Sequence, residues 1–290
     1  MVVPQPTSTR RESSSERHPV LTYFGLTFAI SWLGAFLTVA PRLLRGETIP
    51  RLSGVHMFPV MLLGPCISGI ALTRIVDGRS GLQCLLLRMR RLSVPIRWYA
   101  VLLIPPATIL IVLLSMKSFI SPVFAPGSFL KGIAFGVPAG IFEEIGWTGY
   151  ALPKMYRKTH ALAASILLGW LWALWHLPVI DFLGTAAPHG RFLGAYFLAF
   201  SAAMTAMRVL IAWIYVNTDS VLLAQLMHIS STGSLVVLSP AQVNPGQEAL
   251  WYGVYAVALW AAVAIMAGLF GSRLRRESSV GPVVTGPFAR

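Results

Sequence analysis

Long apolar stretches alternate with short polar ones along almost the whole chain. Eight of these stretches are long enough to cross about 30 Å of hydrocarbon at about 1.5 Å per residue. Their approximate limits are residues 20–40, 57–76, 98–116, 129–152, 162–180, 192–216, 220–239 and 249–270. The pattern therefore predicts an all-α polytopic membrane protein, a bundle of about eight transmembrane helices.

Polar segments flank this apolar region, residues 20–270, on both sides. Residues 1–19 and 271–290 are rich in Ser, Pro, Gly and Arg, and we expect them to be disordered tails. The first apolar run is too long for the apolar part of a typical signal peptide, so we interpret it as an uncleaved span. Lys and Arg concentrate in the tails and in the loops after spans 2 and 4. This distribution predicts that both termini are cytoplasmic.

The composition indicates that the lipid bilayer is the main solvent and partner of this protein. The chain is 56% hydrophobic and 11% charged, whereas a soluble domain carries about 25% charged residues. The net charge of +13 would suit nucleic acid, but the basic residues are dispersed between apolar segments and do not interleave with aromatic ones. We therefore expect no nucleic-acid partner. Cys66 and Cys84 lack the partner spacing of a disulfide framework or a zinc ribbon.

Away from the ends of the predicted spans lie five Glu, His and Arg side chains, and each costs at least a few kcal/mol there. They are Glu143, Glu144, His176, Arg208 and His228. A lone intramembrane histidine is most often a packed core residue. Two histidines and a glutamate pair on three helices instead predict a functional site. The alternative is that the glutamates only hold helices together by bonding to the histidines or to Arg208.

Span 4 carries a glycine every four residues, ending in a glutamate. The glycines are Gly132, Gly136 and Gly140. Small residues at this spacing let another helix approach closely, so we expect Glu144 and Thr148, on the same ridge, to face protein. Glu143 points about 100° around the axis, into the bundle or into a cavity beside it.

The positions of the other polar residues set a geometric condition. Trp172 shares a helix face with His176, and Thr232 lies one turn beyond His228. Counted from the predicted cytoplasmic helix ends, Glu144 and His228 lie about 14 and 12 Å deep, whereas His176 lies about 22 Å deep. Span 5 must protrude, tilt or begin later if these residues are to meet. Arg208, about 12 Å from its helix end, either snorkels to water or pairs with Glu144.

These residue types suit hydrolysis. A glutamate near histidines can hold and deprotonate a water molecule. His228 and Thr232, one turn apart, would supply donors for the oxyanion of a tetrahedral intermediate. The alternative is a metal centre in which His176, His228 and Glu143 bind zinc and leave one position open for water. The chain has no HExxH spacing, so the zinc alternative depends entirely on tertiary assembly.

A set of short motifs is distributed over spans 2 to 7. They are Gly64-Pro65, the Asp77–Leu82 loop, Trp98-Tyr99, the Glu143–Pro153 segment, Trp175-His176-Leu177-Pro178 and the Ser220–His228 segment. Together they resemble the motifs of the bacterial CPBP family, which contains CAAX proteases and bacteriocin-processing or abortive-infection proteins of the type II CAAX prenyl endopeptidase class. The combination is specific, although each motif alone is not.

The resemblance implies an eight-helix intramembrane protease with a cavity open to the cytosol and the bilayer. Its substrate would be a membrane-anchored peptide or protein, prenylated or otherwise membrane-bound, and its location the cytoplasmic membrane of a bacterium. Carried over by position, Glu143 is the general base, His176 holds the water, His228 is an oxyanion donor or ligand, and Glu144 is a supporting carboxylate. We favour metal-independent chemistry over the zinc alternative.

Two positions depart from the family pattern. Thr148 stands where the family often has Arg, and Arg208 is a candidate to replace that charge. Thr232 stands where the family often has Asn, which weakens the hydrogen-bond donor but keeps one. Two rival functions use the same residues: a non-catalytic immunity or scaffold protein of this fold, and a proton-coupled transporter, which the lack of an internal repeat disfavours.

Overall fold

The computed structural model describes residues 17–50, 53–182 and 188–275, and no β-strand lies in these ranges. Most of the predicted tails, 1–19 and 271–290, falls outside them. The helices are α1 (Pro19–Leu44), α2 (Gly54–Met61), α3 (Leu63–Val76), α4 (Gly78–Met89), α5 (Arg97–Ala100), α6 (Ile104–Phe119), α7 (Ile133–Gly146), α8 (Leu152–Tyr156), α9 (Ala161–Trp175), α10 (Leu193–Thr218), α11 (Val221–Leu238) and α12 (Pro245–Phe270). The predicted all-α class is confirmed.

Seven helical stretches within the described residues are long and apolar enough to cross a membrane. They are Pro19–Leu44, Gly54–Val76, Arg97–Phe119, Ala161–Val179, Gly190–Thr218, Val221–Leu238 and Pro245–Phe270. Each matches one predicted span, with limits shifted by a few residues. Hydrocarbon thickness fixes how much apolar sequence a span needs, which explains the agreement.

The remaining predicted span, residues 129–152, is a helical run made of several segments. A 3₁₀ turn, Leu130–Gly132, leads into α7, and a π-helical segment, Trp147–Ala151, joins α7 to α8. The hydrogen-bond pattern changes within the run, so none of its α-helices alone reaches the length of a span. The whole run is long enough to cross the bilayer, at about 40 Å. Its π segment directly follows the glutamate pair, and π segments are frequent at functional sites.

Large apolar side chains are exposed on the outer faces of several helices. Leu37 on α1, Ile111 on α6 and Val257 on α12 are each more than half exposed. Soluble monomers rarely expose extended apolar surface, whereas hydrocarbon solvates it well. The protein is therefore an integral membrane protein.

The glycine ridge of α7 packs against α11, as its spacing predicts. A Cβ added at Gly136 would lie 2.7 Å from the backbone nitrogen of Gly233, and one added at Gly140 would lie 2.6 Å from the carbonyl oxygen of Gln225. Both distances are shorter than van der Waals contact, so only glycine permits this approach. The close contact brings the carboxylate at the end of the ridge against α11.

A second group of helices completes the bundle around the site. α10 packs against both α9 and α12, and α1 packs against α2 and α3. Gly169 of α9 lets α10 approach, because a Cβ there would lie 2.6 Å from the Cα of Thr205. This contact places the middle of α9 beside the middle of α10, where Arg208 lies.

The described loops gather at two ends of the bundle. One, here called the tail end, comprises residues 77–97, 153–160, 218–220 and 271–275, and a salt bridge of 2.7 Å joins Lys154 to Asp77 there. The other, called the opposite end, comprises residues 45–50, 120–130, 188–190 and 239–245. At that end the N–H of Gly127 donates to the carbonyl of Leu238. Each contact joins two loops of the same end.

Candidate active site

Glu143 lies in the last turn of α7 and is fully buried. Its Oε2 accepts hydrogen bonds from the indole N–H groups of Trp172, at 2.6 Å, and Trp147, at 3.1 Å. Its Oε1 has no hydrogen-bond partner among the described residues. One oxygen is thus held by two donors, while the other is free to bind a molecule in the adjoining cavity.

Glu144, the next residue, faces protein on all sides. Its Oε2 accepts from Nη1 of Arg208 at 2.8 Å and from the hydroxyl of Thr148, and its Oε1 lies 2.7 Å from Nδ1 of His228. Glu144 and Arg208 are both fully buried. The structure therefore shows a buried ion pair, and the alternative in which Arg208 snorkels to water is wrong.

Arg208 also interacts with the residue that holds Glu143. Its guanidinium carbon lies 4.3 Å from the ring centroid of Trp172, close enough for a cation–π interaction. Trp172 therefore links the two glutamates, donating to Glu143 at its edge while its face meets the cation paired with Glu144. The sequence predicts that Trp172 shares a helix face with His176, but not that it meets Arg208 of another helix.

The two histidines have different hydrogen-bond partners. His176 caps the C-terminus of α9, and its Nδ1 lies 2.8 Å from the carbonyl oxygen of Trp172. Because a carbonyl oxygen only accepts, Nδ1 must carry the proton, and Nε2 of a neutral ring is left as an acceptor. His228 instead directs Nδ1 at the carboxylate of Glu144. The nitrogen available to a substrate is thus Nε2 on each ring.

A cavity of about 440 Å³ brings the polar candidates together. Glu143, Trp172, His176, His228 and Thr232 line it. Most of its remaining wall is apolar or aromatic. Glu144, Thr148 and Arg208 lie behind this wall, in contact with residues that line it. The predicted residues therefore divide into a group that can touch a bound molecule and a group that supports it.

The predicted depth mismatch of His176 has a simple explanation. Trp172 contacts Glu143, and His176 lies one turn farther along α9, about 6 Å toward the opposite end. His228 contacts Glu144 directly. The residues therefore do not meet at one depth; they line a cavity that runs along the helix axes.

The zinc alternative needs three ligands on one metal. Within the described residues, no group of three or more His, Cys, Asp and Glu is arranged to hold a metal ion. Oε1 of Glu143 and Nε2 of each histidine are directed at the cavity, but as the side chains lie they are not grouped as the ligands of one metal ion. The arrangement therefore does not form a three-ligand zinc site.

Trp147 is a site residue that the sequence reasoning missed. It lies four residues after Glu143, so helical periodicity placed it on the same face, but a tryptophan in a span is commonly read as packing. Its ring is fully buried and packs edge-on to that of Trp175 at 6.1 Å between centroids. The donor role became visible only through the contact with Glu143.

A second polar cluster, also missed, lies where the cavity meets the opposite end. His189 is 2% exposed, with Nδ1 2.5 Å from Asp181 and Nε2 3.5 Å from Glu248, and its ring stacks on Tyr196. Burial lowers the pKa of His189, but the hydrogen bonds and charges of Glu248 and Asp181 outweigh it and raise that pKa above its usual value. Glu248 also lines the cavity.

The sequence is similar to those of known membrane proteases. Residues 125–233 match a family model described as Type II CAAX prenyl endopeptidase Rce1-like. CAAX prenyl protease 2 of Methanococcus maripaludis is 28% identical over 237 residues, which cover 74% of this chain and 83% of that protein. The matched region contains the glutamate pair and both cavity histidines. These matches support the resemblance to the CPBP family of CAAX prenyl endopeptidase-like membrane proteases that its motifs indicate.

Proposed function

We propose that this protein is an intramembrane endopeptidase that hydrolyses a peptide bond of a membrane-associated substrate, prenylated or CAAX-like, with water activated by Glu143. The observation that carries the proposal is the free, buried Oε1 of Glu143 in a cavity that two histidines share. A buried carboxylate oxygen without a donor is costly unless it serves a bound molecule. Water bound there is the nucleophile that the hydrolysis needs.

Glu143 and His176 together position that water. Oε1 of Glu143 accepts one of its hydrogens, and Nε2 of His176 accepts the other. The two indole donors hold the carboxylate against rotation, so that its free oxygen keeps facing the cavity. As water attacks the carbonyl carbon, Glu143 takes the proton and later returns it to the leaving amine.

His228 and Thr232 stabilise the negative charge that develops on the carbonyl oxygen. With hydrogen on both nitrogens, His228 donates from Nδ1 to the carboxylate of Glu144 and from Nε2 to the oxyanion. Thr232, one turn farther along α11 and on the same cavity wall, provides a hydroxyl donor. Arg208 donates to Glu144 and holds its carboxylate in the orientation that this role needs.

The apolar part of the cavity suits a lipid-modified or membrane-inserted peptide. Phe58, Phe200, Leu235 and Val236 line it, and its volume lies within the range of about 300–1,000 Å³ typical of small-molecule sites. The name of the archaeal relative refers to CAAX prenyl substrates. A prenyl or acyl chain, or an apolar side chain next to the cleaved bond, would occupy this part of the wall.

The test is cleavage by purified protein in liposomes. The substrates are a farnesylated peptide with a CAAX terminus, its unprenylated form and a peptide with a transmembrane anchor, with products identified by mass spectrometry. We expect wild type and Glu47→Gln, a matched substitution at an exposed carboxylate, to cleave at least one peptide, and Glu143→Gln to cleave none. A Glu143→Gln variant that still cleaves, or that still performs the cellular role, would contradict the proposal in favour of a scaffold.

A further inference from the structure

The cavity has a second polar region, away from the catalytic residues. There His189 lies between two carboxylates, with Nδ1 2.5 Å from Asp181 and Nε2 3.5 Å from Glu248. Glu248 lines the same cavity as Glu143, so a molecule that is bound at Glu143 and extends along the cavity meets this region. We call it the His189 cluster, and its members are Asp181, His189, Tyr196, Glu248 and Tyr252.

Glu248 is an unusual residue for the first turn of a helix. A carboxylate near a helix N-terminus is common, because the N–H groups there attract negative charge, but it normally faces water. Glu248 is only 4% exposed, and its Oε2 has no hydrogen-bond partner among the described residues. The 3.5 Å contact with His189 falls outside hydrogen-bond geometry. A buried carboxylate oxygen without a donor is costly unless a bound group donates to it.

The charges of the His189 cluster do not balance. Asp181 and Glu248 raise the pKa of His189, so the ring favours its singly charged form beside two carboxylates. No lysine or arginine is among the described residues that line the cavity. Arg191, the basic residue nearest to His189 in sequence, instead places its guanidinium over the ring of Phe192. Within the described part of the chain, one negative charge is left over, and a bound cation would balance it.

The surroundings of this charge suit an organic cation. Within the described residues, no group of three or more His, Cys, Asp and Glu is arranged to hold a metal ion. Aromatic rings form the adjoining wall, since the ring centroid of Tyr252 lies 5.1 Å from that of Tyr196 and 6.1 Å from that of Phe200. A carboxylate beside aromatic rings can bind an ammonium or guanidinium group by charged hydrogen bonds and cation–π attraction.

The distance to the catalytic residues sets where such a cation lies in a peptide. The ring centroid of Phe200 is 5.3 Å from that of His176, and Tyr196 lies one turn farther along α10, about 6 Å away. His176 in turn lies one turn, about 6 Å, beyond Trp172, which donates to Glu143. The cluster is therefore about 12 Å from Glu143 along the helix axes. An extended peptide covers this distance in about three to four residues.

From these observations we propose that the His189 cluster is a specificity site for a basic residue of the substrate, a lysine or arginine within about four residues of the cleaved bond. Glu248 binds the cation, and Asp181 fixes His189 beside it. The spacing rests on the proposed function, since it is counted from the cleaved bond. A basic position of this kind is compatible with a prenylated peptide and with a peptide that has a transmembrane anchor.

Peptide binding to the Glu143→Gln variant tests the site without any need for catalysis. The labelled protein is placed in phosphatidylcholine nanodiscs, whose zwitterionic surface carries no net charge to attract a cation. The probes are the farnesylated CAAX peptide and its unprenylated form, each with a single lysine moved one position at a time along the sequence. Norleucine at the same position is the matched control, because it has a similar shape without the charge. Affinity is measured by thermophoresis of the protein.

We expect lysine to bind at least about tenfold more tightly than norleucine at a position within about four residues of the cleaved bond, as a charged hydrogen bond would provide. Adding Glu248→Gln should remove this preference. Asp181→Asn, at a partly exposed carboxylate, should reduce it, and Glu47→Gln, at a well-exposed one, should leave it unchanged. The proposal is overturned if lysine is preferred at no position, or if folded Glu248→Gln and Asp181→Asn variants keep the full preference.

Cleavage by wild type in liposomes separates this site from the proposed hydrolysis. The same lysine preference should appear in kcat/KM for each peptide that is cleaved, including the peptide with a transmembrane anchor. If no peptide is cleaved but lysine binding depends on Glu248, the cation site stands and the proposed hydrolysis fails. If cleavage depends on Glu143 but neither on the lysine nor on Glu248, the proposed function holds and the His189 cluster is not a specificity site.

Discussion

Replacing Arg208 by Met should strongly destabilise the protein. Nη1 of Arg208 lies 2.8 Å from Oε2 of Glu144, and both side chains are fully buried. Removing one partner of a buried ion pair costs about 3–5 kcal/mol, because the other charge is left uncompensated. Nε and Nη2 of Arg208 have no partner among the described residues, so removing these buried donors offsets part of the destabilisation. Glu144 also keeps the hydrogen bond to Thr148. We therefore expect the lower end of the range, about 3 kcal/mol.

The assay is equilibrium unfolding in mixed detergent and SDS micelles, followed by circular dichroism. Arg91→Met is the matched control, because Arg91 pairs with Asp219 at 3.2 Å while both side chains are about half exposed. Such surface pairs contribute about 0–1 kcal/mol. An Arg208→Met variant no less stable than Arg91→Met would refute the account of the buried pair.

A double variant tests whether an arginine at position 148, where the family often has one, can replace Arg208. Thr148 lies one turn beyond Glu144 and already contacts it. Adding Thr148→Arg to Arg208→Met should recover part of the lost stability, since the new guanidinium can reach the same carboxylate. If the double variant is less stable than Arg208→Met alone, Arg208 does not act as a replacement for the family's Arg.

Three further outcomes are expected. Gly136→Ala should destabilise by about 1–3 kcal/mol in the same unfolding assay, because its Cβ would lie 2.7 Å from the backbone of α11, whereas Gly233→Ala has open space and should cost less; equal costs would contradict the close packing. The folded-state pKa of His189 is raised, so its stabilising effect is complete below the unfolded pKa of about 6.5 and is lost as pH rises through the folded pKa. Melting temperature should therefore fall over that interval in wild type and change less in His189→Gln, and equal pH profiles would contradict the contacts with Asp181 and Glu248. Prior dialysis against EDTA should leave peptide cleavage unchanged, and a loss restored by zinc would return the metal alternative.

The sequence predicted the helices well because their lengths are set by the bilayer, a property of the solvent and not of the tertiary fold. It also predicted that Glu144 faces protein and that Glu143 points into the bundle or a cavity beside it, since both follow from helical geometry around the glycine ridge. The choice between pairing and snorkelling for Arg208 stayed open, because a long cationic side chain can do either. The position of Glu144, 2.8 Å from Arg208 in the folded bundle, decides it.

Other features depend on how helices meet and have no local signal. The π segment Trp147–Ala151 changes the hydrogen-bond register within an uninterrupted apolar run, so a hydropathy pattern shows one continuous span. The hydrogen bond from Trp172 to Glu143 requires α9 to approach the end of α7. The sequence does not show toward which end of the bundle the cavity extends. The tightly packed halves of the helices near the tail end are as apolar as the halves that line the cavity.

The most direct test of the central claim is the turnover rate of Glu143→Gln on the best peptide substrate, relative to wild type and to Glu47→Gln, with melting temperatures measured for all three. Glutamine keeps the shape of the side chain but cannot take a proton from water. The account predicts unchanged folding and a rate lower by about 10²–10⁴-fold, the usual contribution of a general base. A rate within a few-fold of wild type, in a variant that folds normally, would contradict the role of Glu143.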